Sequence, residues 1–120
     1  MRRLLCVAAL LVCAAPAIGQ EVPEPTRKDF WCGVAFDMAA RDVPVDAAAE
    51  VLSVTDPYKK GAQTLIERAK PIYLESGYTE EAFEAFRTET ETAIAAELAS
   101  TDPALRPDYS FEDCAALLGL

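Results

Sequence analysis

Cysteines and carboxylates carry what chemistry this 120-residue sequence offers, because it holds no histidine. Without imidazole there is no Ser-His-Asp or Cys-His machinery and no imidazole ligand for a metal. Two of the four cysteines, Cys6 and Cys13, lie in an apolar N-terminal run. The other two, Cys32 and Cys114, stand 82 positions apart, near opposite ends of the remaining chain. No C-x-x-C redox pair occurs, so this pair reads as a structural disulfide. Closing a loop of that length stabilises a fold by about 4–5 kcal/mol in the chain-entropy model. With both thiols in the bridge no thiolate ligand remains. No metal, haem or other cofactor is expected, and neither a glycine-rich phosphate loop nor an EF-hand pattern is present.

Carboxylates are the remaining candidates for catalysis. Glu80, Glu81 and Glu84 cluster at one helix start, with Glu89 and Glu91 beyond. A glycosidase needs an Asp/Glu pair of which one is shielded enough to hold its proton. A carboxylate-based peptidoglycan hydrolase is the enzymatic alternative on that ground. These glutamates fall on the polar face of their helix, so a non-enzymatic protein with no catalytic residues is the expected reading.

The first 19 residues read as a secretory signal peptide. Arg2 and Arg3 form the positive start and Leu4 to Ala15 the apolar stretch. Pro16 breaks the helix, and Ala17 and Gly19 place small side chains at −3 and −1 of a cut before Gln20. A cut after Ala17 is the alternative. The apolar stretch is shorter than the roughly 20 residues that span a bilayer, and Val12 and Leu5 precede the two cysteines where a lipid-modified start would need a small residue. The expected product is residues 20–120, one domain, periplasmic or secreted, with no membrane insertion after cleavage. It keeps 9 basic and 20 acidic residues, a net charge of −11. That charge repels nucleic acid and anionic lipid. A protein partner is expected to be basic if charge steers the encounter.

These side chains must be positioned by helices. Apolar residues recur at helical spacing, strand-like alternation is nearly absent, and prolines punctuate the pattern. Thr26 to Asp29 has the form of a capping box opening a first helix that ends near Arg41. Phe30, Trp31, Val34, Ala35 and Met38 form its apolar stripe, which Cys32 and Phe36 widen. Ala47 to Ala49 predict a short second helix within Val45 to Val54. Thr55-Asp56-Pro57 predicts a new start with proline at the first helical position. That third helix runs to Ser76, with Gly77 beyond its end and a kink or split near Ala69 caused by Pro71. Thr79 caps a fourth helix, whose apolar face is Phe83, Phe86, Thr90, Ala93, Ile94, Glu97 and Leu98. Thr101 to Tyr109 reads as a loop. Ser110 to Asp113 is a second capping box, opening a short helix with Cys114, Leu117 and Leu118. The fold expected is all-α: a small bundle of four to five helices closed by one disulfide.

The layout resembles the small helical acid-stress chaperones of the periplasm: a chain of this size, one bridge between distant helices, and Trp31 directly before Cys32. That resemblance implies an acid-triggered opening that frees Phe30, Trp31, Phe83 and Phe86 for clients. An inhibitor or immunity protein for a cationic envelope enzyme is the other specific expectation, with Tyr78, Glu80, Glu81 and Glu84 as contacts. Small-ligand binding in a cleft lined by Pro71, Tyr58, Tyr73 and Tyr78 is a weaker one. What discriminates among these is whether a concave apolar patch stays open in the folded protein.

Overall fold

The structure, a computed structural model, describes residues 21–102, 104 and 107–120. The signal-peptide reading therefore lies outside the described residues. Among them the chain is all-helical, with α1 (Glu24–Arg41), α2 (Ala49–Glu75), α3 (Glu80–Ala99) and α4 (Phe111–Leu117) and no strand. No helix among them is long and apolar enough to cross a membrane.

Helix α1 is the hub. Phe30, Cys32, Val34 and Phe36 are all buried along it, so it packs on more than one side. On one side Phe30 and Val34 join Ile66, Ala69 and Tyr73 of α2 and Phe83 and Ile94 of α3. On the other, Cys32 and Phe36 join Ala62 and Leu65 of α2 and Cys114 of α4. Gly33 lets α1 and α2 meet closely. A Cβ added there would stand 2.8 Å from Ile66 Cγ1 and 3.1 Å from the Ala62 carbonyl oxygen. Mid-helix glycine costs about 1 kcal/mol of helix propensity, and this close approach accounts for its use.

Helix α1 begins earlier than the sequence predicts, and not by a capping box. Pro23 occupies the N-cap and Pro25 sits in the first turn, where a missing N–H costs nothing. Thr26 and Asp29 are buried instead of capping. The Asp29 carboxylate accepts two hydrogen bonds of 2.7 Å from the Arg68 guanidinium on α2. A tertiary partner therefore takes the group that the local motif would have used.

The second correction concerns α2. Residues 45–48 form no helix, and one helix runs from Ala49 through both Pro57 and Pro71. The predicted break at Thr55 and split near Ala69 do not occur. Each proline withdraws a donor from the carbonyl four residues earlier, Ser53 and Glu67. All four residues lie on the exposed side, where water can hydrate the freed carbonyls. Propensity arguments miss this because the penalty depends on which face the proline occupies.

The end of α2 and the starts of α3 and α4 follow the sequence. Gly77 has φ of 105° and closes α2 by two bonds, Gly77 N–H to Leu74 O at 3.2 Å and Tyr78 N–H to Tyr73 O at 3.1 Å. The apolar contact that accompanies this cap is Tyr78 on Tyr73, with ring centres 5.1 Å apart. Thr79 Oγ1 accepts from Ala82 N–H at 3.0 Å, and Ser110 Oγ accepts from Asp113 N–H at 3.0 Å.

Candidate functional site

The sulfurs of Cys32 and Cys114 stand at bonding distance, with their Cα atoms 5.3 Å apart. Both residues are buried. Seven residues cannot hold a helix alone in water, so this bridge is what fixes α4 and the segment before it against α1. Tyr109, Ser110 and Phe111 are carried into place with it.

The segment so fixed completes two adjoining concavities. The first is an apolar groove of about 470 Å³ between α1, the C-terminal half of α3 and the start of α4. Trp31, Phe36, Ile94, Leu98, Tyr109 and Phe111 line it, with Ala35 and Ala39 of α1 also on its wall. Leu98 is 71% exposed and Phe111 is 64% exposed. Leu98 and Ala93 are exposed and do not join the core as the stripe on α3 predicts, because Leu98 flanks this groove and Ala93 lines a second, adjoining concavity. The second concavity, about 380 Å³, lies on the other side of Trp31 and Tyr109, which line both. Its walls include Arg27, Glu89, Glu97 and Asp108.

Among the described residues, the second concavity is lined by three carboxylates, Glu89, Glu97 and Asp108, and one cation, Arg27. Arg27 is already engaged by Glu24 at 2.6 Å. Glu97 Oε2 is shielded from water and accepts no hydrogen bond among the described residues. Burial, and secondarily the nearby Asp108 charge, push the Glu97 carboxyl above the ordinary glutamate range. The Tyr109 hydroxyl donates to Glu24. Burial and that bond together push its phenol up to about 12.

A separate charged network joins α1 to α3. Asp37 accepts from Arg41 at 2.6 Å and from Arg87 at 3.0 Å, and Glu91 accepts from Arg41. Burial alone would raise the Asp37 carboxyl, but the two guanidiniums outweigh it and hold it below the usual aspartate value. Glu91 is thus engaged in ion pairs. Glu80 pairs with Lys70 at 2.7 Å, and Glu81 and Glu84 are exposed. The glutamates singled out as candidate catalysts line no common pocket.

The tyrosines do not converge either. Tyr58 packs against Phe36 and Phe111, whereas Tyr73 and Tyr78 pack against Phe86 at the far side of α1. Pro71 is exposed and lines neither concavity. Phe30 stacks on Phe86 with centres 5.1 Å apart and meets Phe83 edge-on at 5.3 Å. Of the four aromatics expected to contact clients, Phe30 and Phe83 are closed in the core, Phe86 is half-buried, and Trp31 alone lines the apolar groove.

No group of three or more metal-ligating side chains occurs among the described residues. No family model matches the chain, and no curated protein or solved structure matches it either.

Proposed function

We propose that this is a small exported, non-enzymatic helical protein that acts by binding another protein in the periplasm or outside the cell, through the Trp31 groove. One observation carries the reading. A concave apolar surface remains uncovered in a chain whose other large side chains are mostly packed, and Leu98 and Phe111 stand on it in water. Isolated exposed apolar residues are ordinary, but a contiguous concave set is the usual mark of a binding site. Export is supported by the N-terminal sequence and by the Cys32–Cys114 pair, which suits an oxidising compartment.

Photo-crosslinking in the native cell tests it. A benzophenone side chain at Leu98 is expected to give a discrete protein adduct. The same group at Val45, which is 94% exposed and lines no described cavity, is expected to give none. Equal yields at both positions, or none at either, would remove the reading.

A second reading, an acid-opened chaperone, has one observation in its favour. The aromatic cluster around Phe30 is closed by helices that carboxylates clamp together: Asp29 to Arg68 between α1 and α2, and Asp37 to Arg87 and Glu91 to Arg41 between α1 and α3. Protonation of Asp37 would loosen α1 from α3 while the bridge limited the opening. A client-aggregation assay at pH 2–3 tests this; absence of protection would end it.

A further inference from the structure

The geometry points to one class of occupant: a basic amphipathic helix of a protein partner, its apolar face in the Trp31 groove and a lysine or arginine reaching the carboxylates of the adjoining concavity. This deepens the protein-binding reading and rests on it.

The groove has the form that receives a helix. Ala35 and Ala39 stand one turn apart on α1, and Ile94 and Leu98 one turn apart on α3, all lining the same space. Ridges at i, i+4 spacing on both walls match the i, i+4 side chains of an incoming helix. The small alanines leave room for its larger residues, and Trp31 and Phe111 offer broad apolar contact.

The charge selects which helix. Across the Trp31–Tyr109 partition lie Glu89, Glu97 and Asp108, and the one cation among the described residues lining that concavity, Arg27, is already paired with Glu24. An arriving ammonium or guanidinium would pair with the carboxylates of Glu89, Glu97 and Asp108 that line the concavity. An acidic helix would add like charge beside these carboxylates. A second copy of the chain is disfavoured in the same way, because residues 20–120 carry −11. The residues that serve this role were not legible as a set in the sequence. By sequence, Glu97 and Leu98 belong to an apolar stripe, and Asp108 and Tyr109 to a loop.

Trp31 is the sole tryptophan and reports on the site directly. The mature protein is titrated with two tryptophan-free helical peptides that share one apolar face, one edged with lysine and one with glutamate. The lysine peptide is expected to saturate the change in Trp31 emission at one equivalent, and the glutamate peptide to bind at least about tenfold more weakly. Leu98→Glu, on the exposed rim where folding is not at stake, is expected to weaken the lysine peptide by about tenfold or more. Glu97→Gln with Asp108→Asn is expected to weaken it several-fold and to flatten its salt dependence. Glu50→Gln, a charge removed elsewhere, is expected to leave it unchanged. Equal binding of both peptides, an unaltered affinity in Leu98→Glu, or a response to dodecylammonium but to neither peptide would each overturn the inference. If Leu98 crosslinks a partner in cells through an acidic segment, the protein-binding reading stands and this inference falls.

Discussion

The indole of Trp31 and the ring of Tyr109 meet edge to face, 5.6 Å between centres, and form the shared wall of the two concavities. They come from opposite ends of the described chain. Trp31 is fixed by α1, and Tyr109 by the Ser110 cap, the α4 bridge and its hydroxyl bond to Glu24. Tyr109→Phe should therefore leave Trp31 emission nearly unchanged and cost no more than about 1 kcal/mol. Tyr109→Ala should open the wall and shift that emission to longer wavelength. Identical spectra for the wild type and Tyr109→Ala would contradict the contact.

The bidentate pair of Asp29 and Arg68 ties α1 to α2. Asp29 is mostly enclosed and Arg68 half exposed, so the pair lies between the buried and surface cases. Asp29→Ala is expected to destabilise by about 1–3 kcal/mol, the range for a hydrogen-bonded charge. Arg68→Ala should cost a comparable amount by leaving an enclosed carboxylate unpaired. A double-mutant cycle in urea melts measures the coupling; a coupling near zero would show that the pair does not hold the helices.

Gly33→Ala probes the helix contact itself. Alanine is the better helix former, yet its Cβ would press on Ile66 and on the Ala62 backbone. A net destabilisation of about 1–3 kcal/mol is expected from overpacking. A rise in melting temperature would mean that the two helices stand further apart than described.

Two carboxyls give stability opposite dependences on pH. The Asp37 value is lowered by folding, so its stabilisation is present above the ordinary aspartate value near 4 and is lost as pH falls through the folded value. The Glu97 value is raised, so folding opposes its charge. Its cost is present above the folded value and disappears as pH falls below the ordinary glutamate value. Asp37→Asn should lower stability at pH 7 and remove part of the acid-side loss. Glu97→Gln should raise stability at pH 7 by less than about 1 kcal/mol and change little at pH 3. Thermal melts at the two pH values check both signs.

The fold was legible in the sequence where a single local cause decides the outcome. Thr79 and Ser110 cap because a side-chain oxygen precedes helical residues, Gly77 closes α2 because it tolerates a positive φ, and Arg41 ends α1 ahead of Pro44. Legibility failed where a distant partner decides. Asp29 looks like a capping group and is claimed by Arg68. Pro57 and Pro71 look like boundaries, yet on the exposed side α2 runs through them. The groove itself could not be read, because Leu98 and Ile94 share one stripe, and nothing in that stripe shows that Ile94 packs into the core with Phe30 and Val34 while Leu98 stays open. The Cys32–Cys114 pairing was legible, and it is what positions that wall.

The groove depends on this bridge more than on any other contact, since α4 has too few residues to hold Tyr109 and Phe111 in place unaided. The decisive measurement is a thiol titration of residues 20–120, which hold only Cys32 and Cys114, unfolded in guanidinium without reductant. No reactive thiol is the result predicted. Two equivalents per molecule would mean that α4 is untied, that the groove has no third wall, and that the binding function built on it does not stand.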